Sequence, residues 1–183
     1  MTQIIRYLKA MPKCGLDLRS ALTNGKVEMM LKTFLGIAWV GSAPMRKRSY
    51  LMDKELDHPL DFLAFEGRKP QFWIEAKCDF AAHPSSVQAS ARDAVHQVRA
   101  YVPGLCRELQ ECPGYIVHFL CPLPDDGHYP DWVDAFEPLL ESNEYMPARL
   151  KTYYRDQGVI GPIQTLSIAF EPRIDVVVVE GTQ

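Results

Sequence analysis

The chain has 183 residues, of which 47% are hydrophobic, 10% aromatic and 23% charged, so it is long enough to bury a core of its own. Twenty Lys and Arg against 23 Asp and Glu leave a formal charge of −3, which excludes a globally basic nucleic-acid binder but not a local basic surface. No apolar run reaches the roughly 18 to 20 residues of a membrane span, and Arg6 and Lys9 break up the N-terminal apolar stretch, which does not read as a signal peptide.

In chain order, Val27, Met30, Leu31, Phe34 and Leu35 fall at helical spacing and predict an amphipathic helix from Asn24, its N-cap, to Leu35. Extended segments are predicted at roughly 47–53, 60–66 and 71–78, the last two joined as a hairpin across Gly67 and Pro70. Pro84-Ser85-Ser86 opens a second helix with the stripe Val87, Ala91, Ala94, Val95, Val98 and Val102, stopped by Pro103-Gly104. Tyr115 to Leu120 reads as a buried strand. From Pro122 to Ala148 there are seven acidic residues, five prolines and no Lys or Arg, which predicts loops with short helices. Leu166–Phe170 and Ile174–Val179 read as strands that close the sheet. The sum is a mixed α/β architecture in a single domain, 1–183.

Five cysteines (Cys14, Cys78, Cys106, Cys112 and Cys121) with no CxxC pair indicate neither a disulfide framework nor a zinc ribbon, and a reducing, cytoplasmic compartment is expected. HExxH, GxSxG, GxGxxG and the phosphate-loop pattern do not occur.

The informative residues lie in the predicted hairpin. Asp61 is the only polar member of Leu60–Phe65, and in Phe72–Cys78 side chains alternate, so Phe72, Ile74, Ala76 and Cys78 share the core face while Glu75 and Lys77 share the other. A turn centred on Arg68 sets Phe65 opposite Gln71 and Asp61 opposite Glu75. Two carboxylates facing each other in apolar surroundings need a cation or a proton. Lys77 supplies part of that compensation. A divalent metal on Asp61, Glu75 and the Ala76 carbonyl would supply more, and this oxygen-rich set suits Mg2+.

Asp61, thirteen intervening residues and then Glu75-Ala76-Lys77 resemble the signature of the PD-(D/E)XK phosphodiesterase superfamily, the restriction-endonuclease-like nucleases. The residue before Asp61 is Leu60, and the proline stands one place earlier at Pro59. The resemblance implies a core of helix, three-stranded antiparallel meander, helix and strand over about 22–121, with a C-terminal extension over about 122–183 that adds strands and short helices. It also implies Asp61 and Glu75 as ligands of Mg2+ or Mn2+, Lys77 as the residue that positions or activates the attacking water, and Glu28 as the first-helix glutamate. Gln97 and Tyr101 spell QxxxY on the second helix. The function implied is metal-dependent hydrolysis of phosphodiester bonds, with DNA as the expected substrate.

Tyr101, Arg92 and Arg99 are the expected contacts to the nucleic-acid backbone, although an Arg92–His96–Arg99 stripe is more often a solvated helix face. Further basic surfaces are Arg46-Lys47-Arg48 and the group Arg149, Lys151, Tyr153, Tyr154 and Arg155. The acidic segment 125–144 would repel nucleic acid and suits a basic protein partner instead. Pairing of two copies into a homodimer is implied by analogy with restriction-type enzymes alone. The rival reading keeps the fold without the chemistry: a catalytically inactive nuclease-fold module that binds nucleic acid or a protein partner.

Overall fold

The computed structural model describes residues 1–14, 27–42, 48–52, 60–81, 84–122, 146–170 and 173–181. Asn24, the basic pair Arg46-Lys47 and the acidic segment 125–144 lie outside the described residues. Among those described, no helix is long and apolar enough to cross a membrane.

The chain opens with α1 (Thr2–Ala10), which the sequence reading did not anticipate. Its Ile4, Tyr7 and Leu8 are buried at i, i+3 and i+4, and the Tyr7 ring meets Trp39 edge-on at 5.1 Å. Helix α2 (Val27–Gly41) carries the predicted stripe but continues six residues beyond Leu35. Two causes act together: Ala38 and Trp39 prolong the buried face, and Gly36 is a contact point at which the Tyr50 ring occupies the space of a side chain.

Strand β1 (Arg48–Met52) pairs antiparallel with β2 (Phe62–Glu66), which pairs antiparallel with β3 (Lys69–Phe80). Gly67, at φ 65°, turns the hairpin. Phe65 lies opposite Pro70 rather than Gln71, because the connection is a two-residue turn and a bulge follows between Ala64 and Phe65. The bulge restores the predicted register further along: Phe62 faces Ile74, which brings Asp61, one residue before the strand, level with Glu75. Helix α3 (Pro84–Tyr101) crosses over to β4 (Gly114–Cys121), parallel to β3, by way of a short helix α4 (Arg107–Gln110).

The C-terminal part adds α5 (Met146–Asp156), β5 (Ile163–Ile168) and β6 (Ile174–Glu180) to the same sheet, whose order is β1-β2-β3-β4-β6-β5. β5 starts three residues before the predicted Leu166 and ends at Ile168, following its ladder with β6 from Ile163–Val179 to Ile168–Ile174. Residues 149–155, read as a basic surface, belong to α5, where Met146, Leu150 and Tyr154 are buried at four-residue spacing. Gly158, at φ 77°, ends this helix, and the Val159 N–H bonds to the Tyr154 carbonyl.

Helices cover the sheet on both sides. Phe62, Phe72, Ile74, Ala76 and Val117 pack against α1 and α2, whereas Leu63, Trp73, Ile116 and Leu120 pack against α3 and α5. The second face of β3, which carries Glu75 and Lys77, is therefore covered as well. Glu75 lies inside it, 2% exposed.

Candidate functional site

β3 outruns β2. Among the described residues, the ladder between them ends at Phe62–Ile74. Just beyond it, Asp61 Oδ2 accepts a hydrogen bond from the Ala76 N–H at 2.8 Å. The N–H and C=O of a strand residue lie on the same edge, so the Ala76 carbonyl is also directed toward Asp61.

On the α3 side of β3, the Lys77 ammonium donates to Glu75 Oε1 at 2.7 Å and to Gln97 Oε1, on α3, at 2.6 Å. At the other end of the cluster, the Lys32 ammonium of α2 lies 3.1 Å from Glu28 Oε1 and 3.4 Å from Asp61 Oδ1. Glu28, Asp61, Glu75, Lys77 and Gln97, five residues singled out from the sequence, are thus linked through two ammonium groups and a strand backbone. Tyr101 takes no part in these contacts and stands exposed one turn beyond Gln97. Arg92 pairs weakly with Asp93 at 3.5 Å on the exposed side of α3, and Arg99 is also exposed.

Glu75 is the electrostatic centre. Burial and the neighbouring charges of Asp61 and Glu28 push its carboxyl up, Lys77 pulls it down, and the balance lies at about 7. Lys32 thus holds Glu28 and Asp61, while Lys77 holds Glu75. Among the described residues, no three His, Cys, Asp or Glu side chains stand in a ready-made ligating cluster.

Lys32 is the residue that sequence reasoning missed. Four residues after Glu28, it looked like half of an ordinary i, i+4 surface pair. The signal was its isolation: apart from Glu28 it is the only charged residue in α2.

Behind Lys77, a second polar group joins the sheet to α5. His118 of β4, in register with Lys77 and fully buried, places Nε2 2.8 Å from Asp79 Oδ2 and Nδ1 3.0 Å from the Tyr154 hydroxyl. Ser86 donates to Asp79 Oδ1 at 2.8 Å. Burial alone would raise the Asp79 carboxyl, but hydrogen bonds from His118 and Ser86 outweigh it and hold it below its ordinary range. Tyr154 is pushed well above its ordinary value by burial and then by the charges of Asp79 and Glu75. It therefore stays a phenol, and the ionised Asp79, which can only accept, takes the hydrogen bond from His118 Nε2–H.

Replacing His118 with Leu strands an ionised carboxylate and a hydroxyl in the interior, and the expected loss of stability at pH 7 is about 3 kcal/mol. Urea unfolding measures it, and a loss below about 1 kcal/mol would show that the relay does not tie α5 to the sheet.

No family model, curated protein or solved structure matches the chain.

Proposed function

We propose that the chain is a metal-dependent nuclease of the restriction-endonuclease-like type, hydrolysing phosphodiester bonds in DNA. The reading is carried by one observation: Asp61, one residue before β2, bonds the Ala76 N–H between Glu75 and Lys77 of β3, and its charge acts on the buried Glu75 carboxyl. The order α2, β1–β2–β3 meander, α3 and parallel β4 supports the same reading.

The residues present fit a hard divalent cation, because Asp61 and Glu75 offer carboxylate oxygens and Ala76 a strand carbonyl, and because the charge of Asp61 adds to burial in raising the Glu75 carboxyl. Asp61, Glu75 and the Ala76 carbonyl would hold Mg2+ or Mn2+. When bound, such an ion polarises the phosphoryl oxygen and stabilises the negative charge that builds up as water attacks. Asp61 is oriented for this by the Ala76 N–H, which fixes one of its oxygens. Lys77 is held between Glu75 and Gln97, so its ammonium stands ready to orient the water or to balance charge on the phosphate. Gln97 acts through Lys77 and is a positioning residue. Arg92, Arg99 and Tyr101, all exposed on α3, are the proposed contacts to the nucleic-acid backbone.

The test is cleavage of single- and double-stranded DNA and RNA by purified protein with Mg2+ or Mn2+, with and without a chelator. Chelator-sensitive cleavage that Asp61→Ala abolishes is the expected result. Cleavage that persists in Asp61→Ala belongs to another site or another protein. Binding of nucleic acid without cleavage under any metal would favour the inactive-module reading.

A further inference from the structure

Residues 1–14 carry Arg6, Lys9 and Lys13 but no Asp or Glu, in a chain whose formal charge is −3. All three cations are exposed. Around the Tyr7 hydroxyl of α1 the neighbours are donors. Gln3 Nε2 and Arg6 Nη2 each stand 3.4 Å from its oxygen, longer than the usual ~2.9–3.0 Å, so neither donor is fully used. Among the described residues, no acceptor takes the proton of this hydroxyl.

Arg48 of β1 brings a second guanidinium. Its Cζ lies 4.0 Å from the centre of the Trp39 ring and 6.0 Å from that of Tyr7, and Nη1 donates to the Trp39 carbonyl and to Ser42 Oγ. These contacts fix the side chain, yet its buried Nε has no hydrogen-bond partner among the described residues. Nor does any carboxylate of the described residues pair with Arg6 or Arg48, not even Glu66 across the ladder from Arg48. Two guanidiniums without acids leave a local positive field. The phenol responds to it: burial raises Tyr7, but hydrogen bonds from Gln3 and Arg6 and the charges of Arg48 and Arg6 outweigh burial and hold it below its ordinary value. The surroundings of this oxygen therefore favour negative charge.

We propose that Gln3, Arg6 and the Tyr7 hydroxyl, in the field of Arg48, form a binding site for a phosphate group. Arg6 presents a planar pair of charged donors, Gln3 an amide N–H and Tyr7 its O–H, which together match phosphate oxygens. Arg48 contributes charge without contact. Lys9, exposed three residues after Arg6, stands on the same side of α1 and can meet a neighbouring phosphate. Arg48 lies opposite Glu66, at the end of β2 remote from Asp61, so this site is separate from the candidate metal site and needs no metal. A nucleic-acid backbone and a free phosphate present the same oxygens, and the experiment distinguishes them.

The full chain, stripped of metal, is titrated at constant ionic strength with inorganic phosphate by calorimetry and with a labelled single-stranded DNA oligonucleotide by fluorescence anisotropy. Wild type is compared with Arg6→Gln, Tyr7→Phe and, as a charge control, Arg107→Gln, an exposed arginine 2.7 Å from Glu111. Thermal melts report folding. Arg6→Gln is expected to weaken binding at least about tenfold and Tyr7→Phe at least about threefold, with Arg107→Gln within about twofold of wild type. Losses in both titrations identify a backbone phosphate as the ligand, and losses with inorganic phosphate alone identify a free phosphate. The proposal is overturned if neither ligand binds, if Arg6→Gln or folded Tyr7→Phe keeps both affinities at the wild-type level, or if Arg107→Gln weakens binding as much as Arg6→Gln does.

Discussion

Lys77→Ala is expected to lower metal-dependent cleavage by at least about a thousandfold, a larger loss than a single transition-state donor usually accounts for. Two effects combine. The ammonium that faces the water or phosphate is removed, and Glu75, 2% exposed, loses the cation that pulls its carboxyl down. A more strongly protonated Glu75 is also a poorer metal ligand. Lys77→Arg should not rescue the rate. The space between Glu75 Oε1 and Gln97 Oε1, at 2.7 and 2.6 Å from Nζ, fits a compact ammonium rather than a planar fork. Gln97→Ala should cost only about tenfold, in kcat more than in KM, because it loosens Lys77 without removing the charge. Single-turnover cleavage at saturating Mg2+ measures all three. Lys77→Ala cleaving within about threefold of wild type would remove this residue from the mechanism.

Glu75→Gln is expected to stabilise the metal-free protein, and only at higher pH. The Glu75 carboxyl rises from its ordinary 4.5 to about 7 on folding, so between those values the folded state holds a proton that the unfolded state has released. The stabilising contribution of Glu75 is therefore complete below pH 4.5 and is lost as pH rises through 7. A glutamine imitates the protonated acid at every pH. The two proteins should have nearly equal stability near pH 4.5, while at pH 8 the variant should be about 2 to 3 kcal/mol more stable. Urea unfolding across this range gives the comparison directly. Mn2+ should reverse the order at pH 8 by stabilising the ionised Glu75 of wild type, with release of a proton at lower pH. A constant difference between the variants across the whole range would mean that Glu75 titrates normally.

The hairpin was legible in the sequence because it depends on local rules. Alternation put Glu75 and Lys77 on one face of β3, and turn arithmetic aligned Asp61 with Glu75. That alignment survived an error: the two-residue turn displaced Phe65 to Pro70, and the bulge at Ala64/Phe65 compensated. Gln97 was legible by its motif spacing, and its contact with Lys77 follows from α3 packing over the face of β3 that carries the lysine. Helix α1 was not anticipated, and α5 was expected only as one of the unplaced short helices of the C-terminal extension. Their apolar faces are short, and charged residues between the buried ones resemble a solvated surface until a partner is known.

The chain by itself determined which residues alternate, which helical faces are apolar, and that two acids and a lysine stand near each other across a turn. Each of these is set within a few residues by backbone geometry. The tertiary structure decided the environment, which no local pattern encodes. It buried Glu75 under α3, brought Lys32 of α2 to Asp61, and tied α5 to the sheet through Tyr154, His118 and Asp79. Those contacts join residues distant in sequence, and their energies depend on the solvent excluded when the layers close.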